Sequence, residues 1–182
     1  MPRPTREQID EEILDCAATL FARHGFKETS VQRIADAVGY SKTGLLHRFP
    51  TKEALQDAVL RRCVEEVRAV TASVRDIPPG PARDRAALVS FTDFALRRPG
   101  FVALILGIFS ALETTDAAGP MGAIAAAVLE AFAVRAESDF PRRIRVAGAL
   151  GAVCVARLAF HDHTSDEMRG QLVALSNDAL GN

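Results

Sequence analysis

Between a glycine-marked turn and a long amphipathic helix, the stretch VGYSKTGLLHRFPTKEAL (38–55) gathers Lys42, Thr43, His47 and Arg48 within barely two turns. Ammonium, hydroxyl, imidazole and guanidinium groups suit phosphate oxygens and the hydrogen-bonding edges of bases. On a helical wheel with Leu45 turned inward, Phe49 falls beside it, while Thr43 and His47 point nearly opposite. Gly44 and Leu46 flank the exposed arc, and Lys42 and Arg48 lie nearer its edges. A helix this short is marginal alone, so Leu45 and Phe49 have to clamp it from below.

The neighbouring elements supply that clamp. Val31, Ile34, Ala35 and Val38 recur at helical spacing behind Thr29 or Ser30 as a cap, and Gly39 stops the run. Ser41 then caps the short helix, and Pro50-Thr51 opens a long one. Helix, glycine turn and short helix make a helix-turn-helix, whose second helix enters the major groove of DNA. Ala35 is small enough to let the two helices cross closely. Helix N-terminal N–H groups at Thr29 and Ser30 would face a phosphate, as would Lys52 one helix later. The competing reading is a three-helix packing unit with an ordinary solvated face.

Charge placement favours the first reading. The chain of 182 residues has a formal net charge of −1. From Arg23 to Lys52, however, six basic residues stand against two acidic ones, a surplus of four, and all the chain's lysines (Lys27, Lys42, Lys52) lie there. A local basic face on a near-neutral protein suits an anionic partner touching one end. Apolar residues make up 48% and charged residues 25%, an ordinary globular balance. Cys16, Cys63 and Cys154 are odd in number and far apart, which suits a reduced interior. The N-terminus turns charged at once, and the apolar run FVALILGIFSAL (101–112) is too short to span a bilayer. A cytoplasmic protein with no membrane partner is expected.

Apolar positions recur at three and four nearly throughout, so the predicted fold class is all-α, with about nine helices. The first runs from about Thr5 to His24, where Gly25 followed by Phe26 is a C-terminal signal. IPPGPAR, RPGF, TTDAAGP and ESDFP punctuate later helices near 83–97, 101–113, 120–136 and 142–161. A last helix spans about 165–180, with Thr164 and Glu167 as its capping box. Two parts are predicted: a three-helix helix-turn-helix domain over 1–52 and a larger helical domain over 53–182.

The segment TSVQRIADAVGYSKTGLLHRFPTKEAL resembles the DNA-binding part of the TetR family of bacterial transcriptional regulators, in the skeleton IA…G.SK…L…F..KE.L. The specific resemblance covers about residues 9 to 60; beyond it only length and helix arrangement agree. It implies a homodimeric repressor on a palindromic double-stranded DNA operator, released when a small molecule enters the larger domain. Carried onto this sequence, it implies DNA contact at Ser30 and Gln32, at Lys42, Thr43, Gly44, Leu46, His47 and Arg48, and a phosphate contact at Lys52. Many members carry tyrosine where Leu46 stands, and leucine can only pack on sugar or a thymine methyl. Gln32, Thr43 and His47 are expected to choose sequence, and Lys42, Arg48 and Lys52 to supply affinity.

In the larger half, Phe91, Phe94, Phe101, Ile105, Phe109 and Phe132 are the candidate lining of an apolar effector cavity. Each fits a packed helical core equally well. From Phe101 to Val134 there is no cation, and a mostly apolar effector is expected. The helix near 142–161 is apolar nearly all round, and Ala147, Gly148, Gly151, Ala152 and Val155 thin one side. Met168, Leu172, Leu175 and Ala179 repeat like a coiled-coil seam on the last helix. Paired with a second copy, these helices would form a four-helix dimer interface and space two reading helices about 34 Å apart. They could instead close the monomer's own core. His161 and His163 flank Asp162, too few ligands to predict a metal. There is no nucleophile elbow, P-loop, HExxH or dinucleotide fingerprint, so no enzyme and no cofactor are expected. A regulator answering to a protein partner or a metal, or a helical-bundle enzyme, are the alternatives.

Overall fold

The computed structural model describes residues 5–110, 119–135, 140–163 and 165–181, without the side chains of 108–110 and 165. Among these residues the chain is all-helical: α1 (Arg6–Glu28), α2 (Val31–Ala37), α3 (Lys42–Arg48), α4 (Lys52–Val74), α5 (Pro81–Arg97), α6 (Pro99–Ser110), α7 (Pro120–Ala131), α8 (Phe140–Ala159) and α9 (Ser165–Leu180). The expected order is observed among the described residues, with bounds that differ most at the ends of α1 and α7. Thr164 and the acids Glu113 and Asp116 lie outside the described residues.

Local signals explain most helix ends. Thr5 caps α1 in a reciprocal box with Gln8, the Thr5 N–H donating to Gln8 Oε1 at 2.8 Å. Gly25 takes φ 78°, a left-handed position costly for other residues, and α1 kinks there before its last residues. Phe26 folds back so that its ring stands 5.4 Å from that of Phe21. Ser30, Ser41 and Thr51 cap α2, α3 and α4 through their hydroxyl oxygens. The expected α7 ran to about residue 136, but it ends at Ala131. The reason is tertiary. Buried Arg83 of α5 donates to the Ala131 and Glu130 carbonyls at 2.9 and 2.7 Å, and Ala133 turns left-handed at φ 52°.

Helix α4 begins at Lys52, the last residue of the expected first domain, and packs against α1, α5 and α7. The larger half meets the first helix again through α6, which lies along α1. Gly100 makes that crossing possible: a Cβ there would overlap the Asp15 carbonyl and stand 2.7 Å from Thr19 Oγ1. The Asp15 carboxylate accepts N–H bonds from Gly100 at 3.1 and 3.2 Å and from Phe101 at 3.3 Å, capping α6 from α1. Beside it Arg62 of α4 pairs with Glu11 at 2.6 Å and Glu66 at 3.0 Å, and Arg98 joins the same two carboxylates.

Burial raises the Asp15 pKa above the ordinary aspartate value, against the lowering by the Gly100 and Phe101 N–H groups, Arg98 and Arg157. The folded chain therefore holds this proton more tightly than the unfolded one. The Asp15 contribution is greatest below the unfolded value and is lost as pH rises through the raised one. Asp15→Asn should remove that component. Urea midpoints measured across pH should show wild type falling relative to the variant just above the ordinary aspartate range. Parallel curves would contradict the assignment.

Candidate functional site

Helix α3 stands as its pattern requires. Leu45 is 0% exposed and anchors it, with half-buried Phe49 at its end. Ala35 is equally buried beneath the turn, where its carbonyl accepts the Tyr40 N–H at 2.8 Å. Lys42, Thr43 and His47 are exposed on the opposite side, together with Ser30 and Gln32 of α2. Gly44 and Leu46 are half-buried at the flanks. A Cβ on Gly44 would come to 3.1 Å from the Ser41 hydroxyl oxygen, the atom that accepts the Gly44 N–H. Glycine thus eases the cap, which side-chain counting missed.

The cations differ in how free they are. Lys42 makes no hydrogen bond or ion pair with the described residues. Arg48 is paired with Asp10 of α1 and lies 6.0 Å from the Tyr40 ring. Lys52 donates to the Phe26 and Lys27 carbonyls at 2.9 and 3.2 Å and stands 4.4 Å from the Phe26 ring. It holds the end of α1 to the start of α4 whatever else it touches. Gln32 donates to Asp36 at 2.6 Å, which steadies its amide.

Thr29 departs from expectation. It is fully buried, and its hydroxyl donates to the Gly25 and Leu20 carbonyls at 2.8 and 3.2 Å. Its side chain closes the exit of α1 and has no surface to offer a phosphate. Ser30, not Thr29, is the cap of α2.

In the larger half, Phe91, Phe94 and Ile105 do come together, with Val102, Val153 and Cys154, around a cavity of about 20 Å³. That is room for about one water molecule. Phe132 stacks on Phe91 with ring centroids 5.9 Å apart, outside the cavity lining. Phe101 is fully buried under Arg98, also outside that lining. The side chain of Phe109 lies outside the described residues. Burial pushes the thiols of Cys63 and Cys154 up to about 12.

The α8 stripe is exposed as expected at Ala147, Gly148 and Val155 and half-exposed at Gly151 and Ala152. The α9 seam splits. Leu175 and Ala179 are exposed, but Met168 and Leu172 are only 7% and 3% exposed and belong to the chain's own core. The inward line is Met168, Leu172, Ser176 and Leu180, because α5 and α8 cover that side. No group of three metal-ligating side chains stands together among the described residues. No described helix is long and apolar enough to cross a membrane.

An all-helical chain with an anchored, outward-facing second helix in a helix-turn-helix is the class this geometry defines. Residues 13–59 match the family model for "Bacterial regulatory proteins, tetR family", so this segment is similar to the DNA-binding part of that family. Over 56 residues it is 45% identical to the HTH-type transcriptional repressor KstR2 of Rhodococcus jostii strain RHA1, covering 31% of this chain and 28% of that one. Over 53 residues it is 47% identical to the HTH-type transcriptional regulator RutR of Escherichia coli K12, covering 29% and 25%. The likeness thus spans about a quarter of the length of these curated relatives. A solved TetR-like transcriptional regulator from Rhodococcus sp. RHA1 shares the fold over 99% of this chain and 100% of its own, at TM-score 0.59 and 22% identity.

Proposed function

We propose that this protein is a cytoplasmic transcriptional repressor, not an enzyme, which binds a palindromic operator as a homodimer and releases it when a small effector enters the larger domain. The observation that carries the reading is α3 itself: Lys42, Thr43 and His47 are exposed above a Leu45 anchor that is 0% exposed. The names of the matched relatives, transcriptional repressor and transcriptional regulator, support it in this same segment. The dimer rests on the uncovered apolar face of α8 and α9, with Ile144 and Val155 both 55% exposed and Leu175 50%. The effector reading rests on the apolar walls around Phe91, Phe94 and Ile105. The larger domain, over 53–182, would hold both.

Capture of fragmented source-genome DNA at near-physiological salt, followed by sequencing, tests the proposal. Enrichment of a short palindrome near particular genes supports it; salt-sensitive bulk binding alone counts against it. Within that assay Lys42→Ala should weaken all sequences alike and flatten the salt slope by about one. Thr43→Ala should instead blur operator preference by about 1 kcal/mol or more. Equal loss of specificity in both variants would overturn this division of roles.

A further inference from the structure

Arg157 has no role in the core or the reading head. It lies on α8 three and four residues after Cys154 and Val153, hence on the same face as these two walls of the small cavity. Its Nε and Nη1 atoms are sealed from solvent and have no hydrogen-bond acceptor among the described residues. A buried guanidinium donor without an acceptor is costly, and nearly all such groups in folded proteins are satisfied by something. It lies close enough to the Asp15 carboxylate to act on it through charge, and that carboxylate is already engaged by the Gly100 and Phe101 N–H groups.

We propose that Arg157 is the anchor for an anionic effector, a monocarboxylate whose apolar tail parts the walls formed by Phe94, Val102, Ile105 and Val153. The inference rests on the effector-responsive reading above and names the chemical class of its ligand. The cavity walls are apolar, so the tail has to be apolar; the unsatisfied donors call for a charged acceptor at its head. A carboxylate there also shares the field of Arg157 with Asp15. Like charge placed near Asp15 weakens the carboxylate cap that joins α1 to α6, and α1 carries the reading head. Entry of the anion thus reaches the DNA-binding end without a new contact to it.

Thermal unfolding of the full chain at constant ionic strength, with acetate, hexanoate or octanoate, tests this, with octanamide and octanol as uncharged controls. Octanoate at saturation, about a hundredfold over its Kd, should raise the melting temperature by about 5–10 °C. Acetate, octanamide and octanol should not. Arg157→Met, which replaces the charge by an apolar chain of similar length, should abolish the shift, and Arg157→Lys should keep part of it. Equal shifts from acid and amide, an undiminished shift in Arg157→Met, or no shift with any carboxylate would each overturn the proposal. The acid-against-amide comparison needs only wild-type protein, so it decides even where a variant does not fold. Operator capture by ligand-free protein reports separately. Capture without an octanoate shift sinks the anion site alone, and a shift without capture sinks the regulator reading.

Discussion

Gly100→Ala is expected to destabilise the fold by about 3 kcal/mol, the upper part of the range for overpacking a well-filled contact. The added Cβ would collide with the Asp15 carbonyl and approach Thr19 Oγ1 to 2.7 Å, and the first of these is backbone. Backbone cannot swing aside as a side chain can, so α1 and α6 must separate. Separation also breaks the N–H bonds from Gly100 and Phe101 to the Asp15 carboxylate, leaving a half-buried acid poorly satisfied. Gly107→Ala is the control on the same helix. Nothing stands within 4 Å of a Cβ there, and alanine should be neutral or stabilising by about 0.5–1 kcal/mol. Urea unfolding of both variants decides: equal stability would mean the crossing is looser than its geometry. Because α6 ties the larger half to α1, Gly100→Ala should also change operator binding while leaving every α3 side chain intact.

What the sequence made legible were features written locally. Leu45 and Phe49 announce the inner face of α3 by spacing, Ser41 and Thr51 announce caps by type, and Gly25-Phe26 announces a turn by backbone permissiveness. These depend on a few consecutive residues. Features formed between distant segments stayed hidden. Thr29 reads as a cap, yet its hydroxyl serves carbonyls of the preceding helix. Lys52 reads as a phosphate contact, and the Phe26 and Lys27 carbonyls already hold it, 26 and 25 residues away in sequence. Nothing near Asp15 in sequence marks it as a cap; only the fold brings Gly100 and Phe101 to it across 85 and 86 residues. The α7 boundary was missed for the same reason, since Ala133 carries no stop signal and Arg83 reaches the Glu130 and Ala131 carbonyls from another helix. The α9 seam shows the limit of periodicity. Met168, Leu172, Leu175 and Ala179 share spacing, but a helix apolar on more than one face does not say which face the chain itself covers.

That same ambiguity makes α8 the place where a single change should have a large functional effect. Gly151→Trp is expected to leave the isolated fold intact, because a Cβ at Gly151 meets nothing within 4 Å. In the proposed dimer it should nevertheless separate the subunits, since the residue sits between Ile144 and Val155 on the exposed apolar stripe. A bulky ring there would hold a facing helix away from the small residues Ala147, Gly148 and Ala152. Loss of the dimer removes the linkage between two reading heads, and operator affinity should fall by about 100-fold or more. Gly170→Trp on α9 is the matched control. A Cβ there also meets open space, but the position lies about 140° around the helix from Leu175. Sedimentation should find wild type and Gly170→Trp as dimers and Gly151→Trp as monomers, with unchanged helical content in all three. If Gly151→Trp remains dimeric, the α8 stripe is not the interface. If both variants dissociate, bulk on any exposed face suffices and the two-helix face loses its special role.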